Sequence, residues 1–370
     1  MKITRVRART LWAPLKEPWR ISTAVMEKMY ATLVLLETDS GEVGVGECLT
    51  RLGPSVHCKI IEEILSPLLL DRDPFQVEKI WEEMYEIMRP RGHSKGFMVE
   101  TISGVDIALW DLIGKSLGQP LHRILGSYSP ATLPAYASSI LLQGREAMVR
   151  EAVDLVRSGF SALKVKIGRD WQKDLENITS IREAVGQEVS LMADANCAYD
   201  RRTALRVGRA LEELGFCWFE EPLMPEDLEG YALLSRVLDL PIAAGESEFT
   251  RYGFRELITR GKIDIIQPDV CRAGGITECR RIAALASAYH LPCSLHTGAS
   301  SAVSMAASLQ VAASLPNFLT FEYMFAPNPL REEIVLEPFH LTSGGEVVVP
   351  TGPGLGIELR GEVWERFALC

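Results

Sequence analysis

This chain of 370 residues has no surplus of positive charge: Lys and Arg number 39 against 49 Asp and Glu, a net charge of −10. That balance argues against nucleic acid or an anionic membrane surface as the main partner. It leaves an anionic small substrate open, because a few cations or a metal can reverse the field inside one cleft. Long apolar runs are also missing. The uncharged stretch Leu295 to Phe321 is broken by Ser, Thr, Gln and Asn, which does not suit a membrane span. Residues 1–9 alternate Lys2, Thr4 and Arg5 with Ile3 and Val6 and hold no apolar core of the kind a secretory leader needs. The eight cysteines contain no C-x-x-C pair and no tight framework, so reduced thiols and a cytoplasmic location are expected. With 47% hydrophobic and 24% charged residues, disorder is excluded as well.

What is present falls into two rhythms. Residues 1–50 alternate apolar and polar at Ile3–Val6, Thr32–Val34–Leu36 and Val43–Val45, with a turn at Asp39-Ser40-Gly41, which predicts an antiparallel meander with hairpin glycines at Gly41, Gly44 and Gly46. Three helical patterns follow near 57–69, 75–88 and 97–117, making an α+β domain expected over residues 1–125. From Ala131 the pattern changes. Short apolar strands end near Ala135, Lys164, Ala193, Phe219, Ala244, Gln267, Leu295 and Phe321, between 23 and 29 residues apart, with amphipathic helices in the gaps. Eight such units predict a parallel α/β barrel over residues 126–325. An open doubly wound sheet is the rival, though eight consecutive units would be long for one. After Phe321 the sequence reads as strand and turn, so the expected form is a modified TIM barrel, (β/α)7β, with residues 326–370 returning to an N-terminal capping domain. The run Gly352-Pro353-Gly354-Leu355-Gly356 reads as a turn rather than a phosphate loop, since no helix with Lys or Ser/Thr follows.

Barrel active sites lie at the C-terminal strand ends, and those ends here are charged. Strand two ends Lys164-Val165-Lys166, whose lysines share one face. The next strands end Asp194-Ala195-Asn196, Glu220-Glu221-Pro222, Gly245-Glu246 and Pro268-Asp269, then His296 and Glu322. Each residue alone has an ordinary explanation as a turn, cap or surface group. Seven in phase with seven strands do not. Neighbouring strands of a closed ring are about 45° apart, so Asp194, a glutamate of strand four and Glu246 converge as three hard oxygen ligands; spacing does not choose between Glu220 and Glu221. Such a set favours Mg²⁺, with Mn²⁺ as substitute, over zinc. Lys166 and the pair Asp269–His296 stand about 180° apart around the ring, so a substrate between them meets one acid/base group on each face. Asp269 would fix the His296 tautomer, and Lys164 with the metal would lower the Lys166 pKa toward neutrality. Glu322 could act as a protonated acid toward a substrate oxygen. Together these suit abstraction of the proton α to a carboxylate.

Over essentially its whole length the sequence resembles the enolase superfamily, and within it the mandelate racemase subgroup, on Lys164-x-Lys166, Asp194-x-Asn196, Glu220 before Glu221-Pro222, Gly245-Glu246, Asp269 with His296, and Glu322. The resemblance implies Asp194, Glu220 and Glu246 as Mg²⁺ ligands, Lys166 and His296 as acid/base groups, Lys164 and Glu322 on the substrate carboxylate, and Asn196 beside the substrate. It implies a homo-oligomer, dimer or octamer, without nucleic-acid or membrane partners. The subgroup's chemistry points to dehydration of a sugar acid, aldonate or aldarate, to a 2-keto-3-deoxy acid, with racemisation or epimerisation of an α-hydroxy acid as the alternative; a barrel that binds without chemistry would have broken rim residues, and this one has none. Cap loops near 15–25 and 50–60 are expected to cover the substrate, with Arg20, Arg51 and His57 as contacts and a polar lean suited to a polyol.

Overall fold

The computed structural model describes residues 1–129 and 131–369. The alternating N-terminal segments form an antiparallel sheet of β1 (Ile3–Arg20), β2 (Val25–Thr38) and β3 (Val43–Cys48). Gly41 takes φ +91° in the β2–β3 turn, a conformation glycine adopts without steric cost. Gly44 and Gly46, expected in the same hairpin, instead lie within β3 and serve a different purpose. A side chain on Gly46 would overlap the carbonyl of Gly104, and one on Gly104 would overlap Cys48 Sγ. The missing side chains let the helix Phe97–Ser116 lie directly on the strand. That helix is buried on nearly every face from Met98 to Gly114, which is why its sequence shows no clean amphipathic stripe.

The barrel strands are β4 (Thr132–Ile140), β5 (Ala162–Lys166), β6 (Ser190–Asp194), β7 (Trp218–Glu220), β8 (Ile242–Ala244), β9 (Ile265–Ile266) and β10 (Phe321–Tyr323), parallel in the order β10-β4-β5-β6-β7-β8-β9. Cys293 bridges Ile266 on one side and Phe318 on the other, closing the ring through a seventh, barely regular strand. Helices follow the first seven strand positions, from Arg145–Arg157 to Ala302–Ala312, whereas β10 is followed by the short turns Pro329–Glu332 and Val363–Arg366. The fold is therefore (β/α)7β. Tyr136, Met192, Trp218, Ala243 and Ile265 fill the barrel interior as a separate apolar plug beneath the rim. The chain then runs through β11 (Glu346–Val348), antiparallel to β4. It continues to the Gly354 turn, where Leu355 N donates to Asp111 Oδ1 at 2.9 Å. Near its end Trp12 N donates to Phe367 O (2.8 Å) and Leu369 N to Thr10 O (2.9 Å).

Cap and barrel are stitched by buried polar contacts. Trp81 Nε1 donates to Gly274 O at 2.7 Å, and Trp110 Nε1 to Thr277 Oγ1 at 2.9 Å. Asp106 accepts from Thr277 N (2.9 Å) and Oγ1 (2.6 Å). From β3, Glu47 accepts from Ser301 N (2.9 Å), Ser301 Oγ (2.6 Å) and Ser304 N (2.8 Å), so a cap carboxylate closes the N-terminus of the barrel helix Ala302–Ala312. Burial pushes Glu47 and Asp106 each up to about 7, against the pull of those donors. The uncharged Leu295–Phe321 stretch holds this buried helix, and no helix among the described residues is long and apolar enough to cross a membrane. Seven cysteines are free thiols; Cys370 lies outside the described residues.

Candidate active site and metal centre

Parallel pairing sets Lys166 opposite Asp194 and Asp194 opposite Glu220, so strand register brings three charged ends to one level. Asp194, Glu220 and Glu246 each offer a carboxylate oxygen, all within 4.8 Å of one another. Two of the three are held firmly. Glu220 Oε2 accepts from Trp218 Nε1 (3.1 Å) and Gln267 Nε2 (2.7 Å), and Asp194 Oδ1 from Asn196 N (2.8 Å). Glu246 Oε2 is buried without a hydrogen-bond partner, although His296 Nε2 lies 3.4 Å away. A buried carboxylate oxygen left unpaired beside two others is costly. Hard oxygen donors at this spacing fit a divalent cation of the Mg²⁺ type. The loops that carry them are strained: Asn196, Cys197 and Glu221 all hold left-handed backbone (φ +43°, +63° and +39°), at about 1 kcal/mol or more each for a non-glycine residue.

Two lysines rise into this set from β5. Lys164 Nζ lies 2.6 Å from both Glu220 Oε1 and Glu322 Oε1, over the Tyr136 ring. Lys166 Nζ is paired to Asp194 Oδ2. Burial and Lys164 disfavour the charge on Lys166, but Asp194, Glu246 and Glu220 together outweigh them, and the pKa is raised. Among these side chains alone the carboxylates outweigh Lys164; the depression expected for Lys166 rests on the metal as well as on Lys164. The acid role foreseen for Glu322 is corrected. Burial opposes its charge, yet Lys164, His296 and Lys166 hold its carboxyl well below the usual range, and it accepts from Ser138 Oγ (2.7 Å) and Thr297 N (2.8 Å). In this arrangement it is a carboxylate.

His296 Nδ1 lies 2.7 Å from Asp269 Oδ2, whose Oδ1 accepts from Cys271 N at 2.7 Å. That contact orients the ring and turns Nε2 toward Glu246. Burial works against a charged ring, but Glu246, Glu322 and Asp269 push His296 up to about 9. Lys166 thus stands at the Asp194 end of the triad and His296 at the Glu246 end.

All of this opens into a cleft of about 620 Å³ between barrel and cap, lined from below by Lys166, Asn196, Glu246 and His296. The cap side is more apolar than expected: Trp19, Ile21, Val25, Met26, Met29 and Leu52 line it beside Thr23, Glu27, Lys28, Thr50 and Arg51. Of the three cap residues expected on the substrate, only Arg51 lines the cleft. Arg20 is exposed on β1 between two residues that do line it, because alternate side chains of a strand face opposite ways. His57 is fully buried, with Nδ1 2.9 Å from Thr101 Oγ1 and Nε2 3.0 Å from Leu49 O, and burial pushes its pKa down to about 4. It is a core histidine. Glu221, set aside for Glu220 on the family motif, lines the cleft, and so does Arg272, which the sequence reading did not single out. Burial and the neighbouring Glu246, Asp194 and Glu220 push Glu221 up to about 8. Arg272 sits three residues past Asp269, and its place after a strand end was the available signal.

The family model for the mandelate racemase / muconate lactonizing enzyme N-terminal domain matches residues 3–126, and the enolase C-terminal domain-like model matches residues 147–363. The chain belongs to the enolase superfamily. Among superfamily relatives, the D-galactarolactone cycloisomerase of Agrobacterium fabrum is 35% identical over 100% of this chain and 99% of its own length. The arabinonate dehydratase of Saccharolobus solfataricus is 37% identical over 90% and 89%. A superfamily-fold racemase of Streptomyces coelicolor, solved with bound magnesium, superposes with a TM-score of 0.92 at 32% identity, covering 99% of this chain and 100% of that one. The relatives are sugar-acid dehydratases and cycloisomerases, so the chain is an enzyme of the lyase or isomerase kind.

Proposed function

We propose that this protein removes the proton α to the carboxylate of a sugar acid and expels the β-oxygen, giving a 2-keto-3-deoxy acid by dehydration. The observation that carries the reading is the placement of Lys166 and the Asp269-held His296 at opposite ends of one carboxylate triad, inside one cleft. Asp194, Glu220 and Glu246 would hold Mg²⁺, or Mn²⁺ in its place. That ion would neutralise the triad, draw the Lys166 pKa down and polarise the substrate carboxylate. Lys164 would bind the remaining carboxylate oxygen, and Glu322, paired to Lys164 at 2.6 Å, would hold that ammonium in place. One of Lys166 and His296 takes the α-proton; as the enediolate collapses, the β-carbon–oxygen bond breaks and the other group protonates the departing hydroxide to water. The enol then tautomerises to the ketone. Asn196, with its side chain turned to Asp194 (3.3 Å) on the cleft wall, serves as a substrate contact.

A second reading keeps the same first step but breaks a ring oxygen instead of a hydroxyl, which is isomerisation without loss of water. The apolar side chains of the cap wall favour it, since a lactone or anhydro ring presents fewer hydroxyls than an open polyol. Proton NMR in D₂O with Mg²⁺ and a panel of sugar acids and their lactones separates the two. A 3-deoxy methylene arising from open acids supports dehydration, and one arising only from lactones or anhydro acids supports ring opening. Exchange of the α-proton alone would mean racemisation, and activity undiminished by EDTA would overturn the metal assignment.

A further inference from the structure

Arg51 is the one guanidinium on the cleft wall with no carboxylate at ion-pair distance among the described residues. Its polar partner is the carbonyl of Ala299, at 2.6 Å from Nη1. Asp269, the carboxylate whose charge favours it most, is already engaged by His296 and by Cys271 N. Beside it stands Arg272, whose Nε donates to Glu100 Oε1 at 3.1 Å and whose Nη1 donates to Glu246 O at 3.1 Å, leaving Nη2 without a partner among the described residues. Burial and the charge of Arg272 both work against the charge on Arg51, so its pKa is lowered. Glu100 answers the charge of Arg272, whereas the half-buried charge of Arg51 has no such partner, and an anion reaching it would supply one.

The position of Arg51 is specific. A side chain added at Gly298 would meet His296 Nε2 at 2.5 Å and Arg51 Nη2 at 3.0 Å. The glycine therefore leaves an open space that the imidazole and the guanidinium share. Resting on the reaction proposed above, in which one carboxylate is taken by the triad and Lys164, whatever anion reaches Arg51 must be a second one.

We propose that Arg51 and Arg272 form a subsite for a second carboxylate of the substrate, so that the substrates are sugar diacids or their lactones rather than monoacids. An arginine fork matches a carboxylate in shape as well as charge. In a linear diacid the second carboxylate is present from the start. In a lactone it is uncovered by the reaction: the α-carbon–hydrogen bond breaks, its electron pair forms the double bond, and the β-carbon–oxygen bond breaks with its pair passing to the former ring ester, which leaves as a carboxylate.

The test pairs aldarates with aldonates of the same configuration, and adds the aldarate lactones, on wild type and on Arg51→Met and Arg51→Lys. The expected wild-type preference in kcat/KM for the diacid or lactone is about 100-fold, the discrimination a charge-assisted pair supplies. In Arg51→Met that ratio falls at least tenfold, and Arg51→Lys restores part of it. Greater loss for linear diacids identifies the pre-existing carboxylate as the ligand; greater loss for lactones identifies the leaving one. Turnover of monoacids as good as that of diacids, or an equal loss on both in Arg51→Met with an unchanged melting temperature, overturns the subsite while the reaction stands. Absence of turnover on every sugar acid overturns both. Should Arg51→Met not fold, the wild-type ratio and the Arg51→Lys ratio decide alone.

Discussion

The floor and the roof of the cleft are built on different rules. The floor stands on parallel strands whose register fixes which charged ends are neighbours: Lys166 beside Asp194, Asp194 beside Glu220. The roof comes from the ends of β1 and β2 and the loop after β3, and its side chains are mostly apolar. Register makes the floor rigid and its groups mutually dependent. Around the cleft itself the roof meets the floor through Ser22 Oγ to Ala195 O (2.7 Å) and Arg51 to Ala299 O. The lesson is a separation of labour, with bond breaking below and substrate choice above.

That separation can be broken from below first. His296→Asn keeps a polar group of similar size but no titratable one, and product formation should fall by about 10³-fold or more, roughly 4 kcal/mol of barrier, with the melting temperature nearly unchanged. If α-proton exchange in D₂O persists in this variant, Lys166 is the base; a rate within tenfold of wild type would remove His296 from the chemistry.

A smaller effect should come from the seam. Folding raises Glu47 from 4.5 to about 7, so the folded state binds the proton more tightly than the unfolded one. This group's contribution to stability is complete below pH 4.5 and is lost as the pH rises through about 7, at most about 3 kcal/mol. Glu47→Gln should flatten that slope. Chemical denaturation of both proteins at pH 5 and pH 7.5 measures it, and identical pH dependence would show that Glu47 titrates normally.

The smallest effect belongs to the roof. Met26→Ala removes apolar contact without touching a charge, and should raise KM about fivefold with kcat nearly unchanged, since the lost contact serves ground and transition states alike. A drop in kcat of the same size as the rise in KM would show that the roof takes part in the chemical step.

The same contrast explains what could be read in the sequence. The floor was legible because a barrel repeats its strand ends at regular intervals, and seven ends carried ionisable residues. Charge states were not, because Lys166 answers to Asp194 across the register while the sequence displays only Lys164 two positions away. In the roof, a half-buried Arg51 and a surface Arg20 look alike in sequence, although Trp19 and Ile21 flanking Arg20 carried the alternation that sends it outward. His57 could not be told from a substrate ligand because its partners, Thr101 and the Leu49 carbonyl, are fixed only by tertiary packing. Glycine was misread for a similar reason: Gly44 and Gly46 answer to a helix more than fifty residues away in the chain.

The clasp between Glu47 and Ser301 has a bearing on modularity. A cap of this kind looks exchangeable, one roof for another over a constant floor. Yet the carboxylate that closes the helix Ala302–Ala312 belongs to the roof, and the segment from Ser300 back to His296 leads straight into that helix. A transplanted roof lacking an acid at this point would leave three donors of the floor empty and loosen the loop that carries the histidine. Recombination between relatives therefore has to move Glu47 and Ser301 together, and new specificities are reached more readily by changing side chains at the ends of β1 and β2 than by replacing the roof whole.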